Sequence, residues 1–159
     1  MKKEHQEYLC KTYPKLYNTR ANPHNQKCRD FGFDVGDGWF TILNGLSQCI
    51  QEHTDQNIKA RWRARKRIRA LQGQELPELS TVVVIPARVP QVHVDQFKEK
   101  FGTLRFYIHG GNDAVYDYIH LAETMSGITC EDCGSPGERS SPRGWIRTLC
   151  SVCEKGKSK

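Results

Sequence analysis

Cys130, Cys133, Cys150 and Cys153 form two CxxC pairs with sixteen residues between them, a spacing found in four-cysteine zinc sites. Each CxxC turns two sulfurs toward one point, and Gly134, directly after the first pair, relieves the backbone of a tight knuckle. Four thiolates close a tetrahedron and leave no open position for water or substrate. The expected role is therefore structural, with one Zn2+ per chain. An iron–sulfur cluster uses the same ligand count and is the minor alternative.

The second constellation is electrostatic. Lys59, Arg61, Arg63, Arg65, Lys66, Arg67 and Arg69 place seven cations in eleven positions, enough to neutralise several phosphates if one face meets a nucleic acid. Trp62 lies among them and is read either as a stacking platform or as a core residue. No carboxylate lies within this stretch, so its charges must find partners elsewhere. The competing reading is a solvated helix paired with the preceding segment, since residues 30–56 carry five acids and no Lys or Arg. Arg143 and Arg147, between the cysteine pairs, complete the cationic candidates for binding nucleic acid or a partner.

Catalytic constellations are missing from the pattern. There is no nucleophile elbow, no phosphate-cradling glycine loop with its lysine and no open metal site. The segment "VHVDQ" at 92–96 superficially resembles a nuclease motif of the His-Asn-His type, but it precedes the cysteines, and its alternation fits a strand carrying His93 and Asp95 on one face. A nuclease is the disfavoured third reading, and the chain is expected to be non-enzymatic.

These groups need elements to hold them. The chain has 159 residues, 37% apolar and 26% charged, with a formal net charge of +6. That suits one folded core with a small appendage. Nothing approaches the ~20 apolar residues of a bilayer span, and no apolar segment follows the first lysines, so a cytoplasmic location is expected. Cys10, Cys28 and Cys49 stand alone and are expected as reduced thiols, since an odd cysteine total argues against a disulfide framework.

Residues 1–30 mix charge, proline and asparagine and are read as a loosely structured lead-in. Gly36-Asp37-Gly38 is a turn in which Asp37 is placed to cap the following helix. Trp39, Leu43, Leu46 and Ile50 recur on one face of a helix over 39–54, and Ala60, Ala64, Ile68 and Leu71 give a second, basic helix over 57–72. "STVVVI" is a candidate strand. Val92 and Val94, then Leu104, Phe106 and Ile108, alternate as a two-stranded antiparallel hairpin turning near Phe101-Gly102. A further helix runs from Val115 through Ile119 to Met125. The expected architecture is α+β: a small antiparallel sheet with two to three helices over 31–126, then a four-cysteine zinc ribbon and basic tail over 127–159.

Three blocks, "GDGWF" (36–40), "FKEKFGTLRFYIHGG" (97–111) and "CEDCGSPG…GWIRTLC" (130–150), together resemble a family of small, largely uncharacterised proteins of tailed bacteriophages and prophages. The resemblance spans about residues 31–153 and implies a setting, the infected bacterial cell, rather than a chemistry. The leading expectation is a phage accessory protein binding nucleic acid or a nucleoprotein through the basic helix. The alternative is an inhibitor that takes over a host or defence protein by direct protein–protein binding.

Overall fold

The computed structural model describes residues 1–17, 33–72, 82–141 and 144–156. Two helices, α1 (Lys3–Thr12) and α2 (Pro14–Tyr17), open the chain. A 3-10 turn at Asp37–Trp39 leads into the long α3 (Phe40–Leu71), and the hairpin β1 (His93–Lys100) and β2 (Thr103–His109) follows. Next come α4 (Asp113–Ser126), the short pair β3 (Glu138–Ser140) and β4 (Arg147–Leu149), and α5 (Ser151–Gly156). The fold is α+β, with two small antiparallel sheets, each of two strands.

The amino-terminal residues correct the lead-in reading for the described part. Leu9, Tyr13, Leu16 and Tyr17 recur at helical spacing and enter the core. Tyr13 Oη donates to Asn44 Oδ1 at 2.9 Å, and the Tyr17 hydroxyl shares a hydrogen bond with Ser47 Oγ at 2.7 Å. Two polar tips are thereby satisfied against α3 while the rings are buried. Asp37 also departs from expectation, because it does not cap the helix that follows it. Its Oδ1 accepts from the Lys2 backbone N–H at 2.6 Å and meets His5 Nδ1 at 3.1 Å, so it anchors the start of α1 instead.

The two helices expected over 39–54 and 57–72 are one. Residues 54–57, Thr-Asp-Gln-Asn, include three weak helix formers but no Gly or Pro to break the ladder. The proximal half of α3 buries Ile42, Leu43, Leu46, Ser47, Ile50 and Thr54, packing beside α4, α1 and α2, and beyond Thr54 none of its residues is buried. Residues 82–85 of the candidate strand are not in a strand, and residues 80–81 lie outside the described residues.

The hairpin turns at Phe101-Gly102 as the alternation predicts, with Phe97 opposite Phe106 and Lys100 opposite Thr103. Between Val94 and Gln96 the register shifts. The bulge carries the inward face from Val92 and Val94 to Phe97, changing parity, so Phe97 is buried with Leu104 and Phe106. Ile108 is partly buried, whereas Met125, expected in the core, is 44% exposed at the end of α4. No helix of the described residues is long and apolar enough to cross a membrane.

Candidate metal centre and basic surface

The first cysteine pair sits in a backbone knuckle. Cys130 N–H donates to Ser135 O at 2.7 Å, Gly134 N–H donates to Cys130 O at 2.9 Å, and Gly134 takes φ +80°. The chain then forms the β3–β4 ribbon, in which Glu138 pairs with Leu149 and Ser140 with Arg147. Cys150 follows β4 directly, and Cys153 lies in α5, where one helical turn brings its sulfur back beside that of Cys150. All four sulfurs lie within 4.8 Å of one another, and among the described residues this is the one cluster of three or more metal-capable side chains. Neither His93, Asp95 nor Glu99 joins such a cluster.

The spacing fits a tetrahedral ion. Zn–S bonds of about 2.3 Å set sulfurs roughly 3.8 Å apart, and Cys133 Sγ lies 3.6 Å from Cys150 Sγ. A disulfide needs about 2.05 Å, and all four cysteines are free. Hydrogen bonds from Ser135 and from the Cys130 and Cys153 thiols hold the Cys133 thiol down at about 6, while interactions with Cys150 and Cys133 push Cys153 upward. A divalent cation binds such sulfurs as thiolates and displaces their protons. The cluster is compatible with a structural zinc site.

Glycine fixes this centre to the core. An added Cβ at Gly38 would stand 2.1 Å from Cys130 O and 2.4 Å from Gly134 N, and one at Gly36 would stand 2.2 Å from Glu131 O. Only a residue without a side chain lets the two backbones meet this closely. Gly38 N–H donates to Glu131 O at 2.7 Å, Gly36 N–H to Glu131 Oε1 at 3.1 Å, and Trp39 Nε1–H to Thr129 O at 2.9 Å. On the other side Thr148 Oγ1 donates to Gly102 O at 2.5 Å, so the β1–β2 turn abuts β4. The three sequence blocks, far apart along the chain, form one contact surface around the knuckle.

Arg147, one of the sequence's binding candidates, belongs to that surface and is paired there with two carboxylates. Its Nη2 lies 2.8 Å from Glu131 Oε2 and 3.0 Å from Asp132 Oδ1, and its Nε donates to Glu131 Oε2 at 3.1 Å. Glu131 is buried, and a buried carboxylate requires such a partner. Partial burial alone would lower the Arg147 pKa, but the two carboxylates outweigh it and raise the value. Arg143 lies outside the described residues, as does Cys28.

The basic residues stand apart from this centre. At about 100° per residue, Lys59, Arg63, Lys66 and Arg69 share one face of α3 with Trp62, opposite the half-buried Ala60, Ala64, Ile68 and Leu71. Trp62 is 62% exposed and so is not a core residue, and Lys66 Nζ lies 5.3 Å from its ring centroid. Arg65 and Arg67 are exposed, while Arg61 is half-buried and donates to Pro86 O. The pairing expected with the acidic segment does not form among the described residues. Asp37 takes Lys2 and His5, Glu52 takes Gln48, and Asp55 takes Lys15 at 2.7 Å, although Asp55 also feels the charge of Lys59 one turn along.

Gly36, Gly38 and Glu131, which seat the cysteine knuckle, were not among the site residues singled out from the sequence. The one signal was the glycine-flanked turn before Trp39, whose partner lies more than ninety positions away. Compared with protein families, characterised proteins and solved structures, the chain matches none.

Proposed function

We propose that this is a non-enzymatic phage accessory protein that binds nucleic acid or a nucleoprotein through the distal half of α3, with one structural Zn2+ on Cys130, Cys133, Cys150 and Cys153. The observation that carries this reading is the contrast within one helix. Up to Thr54 α3 is a core element; past it, seven cations and an exposed Trp62 run for about four turns with no buried residue. A surface so charged disfavours self-association and favours a polyanion. The zinc knuckle serves as scaffold, holding the core from which α3 extends.

Binding to labelled duplex and single-stranded DNA and to RNA, followed by fluorescence anisotropy across a salt series, tests this. Contacts with about four phosphates give log affinity against log salt a slope near −3.6 for duplex. Arg63→Gln, Lys66→Gln and Arg69→Gln together should reduce that slope by about 2.7. An unchanged slope in the triple variant would remove α3 from the interface. The inhibitor reading predicts a different result: little affinity for free nucleic acid near physiological salt, with loss of a stoichiometric protein partner in the same variant.

A further inference from the structure

The β1–β2 turn contains a conformational oddity. Phe101 is the one non-glycine described residue with positive φ, +54°, and Gly102 follows at +77°. Two such residues make the tight turn that suits a two-residue hairpin, and Asn or Gly is the residue type that fills its first position without strain. Phenylalanine there is unfavourable on backbone grounds, and its ring gains no burial in return, because the residue is 59% exposed. Strain retained at an exposed aromatic residue points to a use for the ring.

A second aromatic stands beside it. Because the hairpin tip abuts β4, the loop leading into β4 runs past Phe101, and Trp145 on that loop is 67% exposed. Together with Lys98, Glu99, Lys100, Gly144 and Ile146 the two rings line a groove of about 420 Å3, in the size range of a small-ligand site. Lys100 Nζ lies 5.5 Å from the Phe101 ring centroid and Lys98 Nζ 5.9 Å from that of Tyr107. The one carboxylate of the groove, Glu99, accepts the Gly102 N–H at 2.6 Å. Two exposed aromatic rings in a groove also lined by Lys98 and Lys100 match a flat base joined to phosphate.

We propose that this groove holds an unpaired base of a single-stranded nucleic acid, stacked on Trp145 and Phe101, with Lys98 and Lys100 on the adjoining phosphates. The proposal rests on the nucleic-acid reading of α3 and adds strand selectivity to it. α3 supplies affinity for any polyanion, while the groove admits a base only where it is not paired.

The test compares a twelve-nucleotide oligothymidylate with a closed duplex whose two ends are capped by hairpin loops too tight to splay a base. Trp145→Ala should weaken oligothymidylate binding about five- to hundred-fold and leave the closed duplex within about two-fold. In a Trp62→Phe background, oligothymidylate should quench Trp145 emission. Phe101→Asn is the decisive variant, since Asn accepts the turn geometry: it should raise the melting temperature by about 2–4 °C and still lose single-strand affinity, a loss that unfolding cannot explain. If both variants keep wild-type affinity for oligothymidylate, the groove proposal is overturned while the α3 reading stands. If the wild-type protein binds neither oligonucleotide, both fall. If Trp145→Ala instead releases a protein partner and spares nucleic acid, the groove is a protein-docking site and the proposal fails.

Discussion

The cysteine knuckle and the distal half of α3 handle charge and contact in opposite ways. Around the knuckle, acidic Glu131 is buried against a glycine turn, and Arg147 reaches it with two nitrogens. Along residues 57–71, six cations are exposed, and no residue of that stretch is fully buried. A buried charge must be answered inside the fold, whereas an exposed one need not be and remains free for another molecule. Charge is thus answered at the cysteine knuckle and left open along the helix, and perturbing each should give unlike results.

Removing the metal should have the largest effect. Elemental analysis should find one zinc per chain. Chelation, or Cys130→Ser with Cys150→Ser, should unfold at least residues 127–153, because a structural site contributes on the order of 10 kcal/mol. Since Trp39 donates to Thr129 O, its fluorescence should report the loss; undiminished thermal stability of the metal-free double variant would refute a structural site.

Two glycines near the start of α3 sharpen the contrast. Gly38→Ala forces a Cβ onto the knuckle backbone and should cost about 3 kcal/mol. Gly45→Ala meets nothing within 4 Å and sits inside the helix, so it should stabilise by about 0.5–1 kcal/mol. Denaturant midpoints of the two variants measure the difference, and equal effects would mean that the knuckle does not seat on Gly38.

Asp37 gives a smaller, pH-dependent effect. Partial burial raises its pKa, but the Lys2 backbone N–H, His5 and the Lys2 ammonium outweigh that and bring it below the ordinary value. Its contribution is therefore present above about pH 4 and disappears as pH falls through the lowered pKa. Asp37→Asn should lose less than about 1 kcal/mol at pH 7, and the gap from wild type should close as pH falls through the lowered pKa.

The smallest effect on stability should come from the variant with the largest effect on binding. Arg63→Gln, Lys66→Gln and Arg69→Gln should change unfolding free energy by under about 0.5 kcal/mol, because helix propensity hardly differs and no described carboxylate is deserted. A loss above 2 kcal/mol would show that these cations are structural after all.

Local pattern determined much of this protein in advance. The four-cysteine cluster was legible because CxxC geometry depends on residues three apart, and the hairpin because strand alternation and a two-residue turn are equally short-ranged. The inward face of α3 followed from helical period. The same period marked Leu9, Tyr13, Leu16 and Tyr17, although the surrounding charge and proline obscured it. Tertiary structure decided the rest. The bulge that turns Phe97 into the core depends on how two strands fit one core. The partner of Arg147, the seat of the knuckle on Gly36 and Gly38, and the meeting of Phe101 with Trp145 join residues 16 to 95 positions apart. Such contacts follow from packing the whole chain at once, because burial and hydrogen bonding, unlike helix and strand period, are satisfied by whichever group the fold brings near.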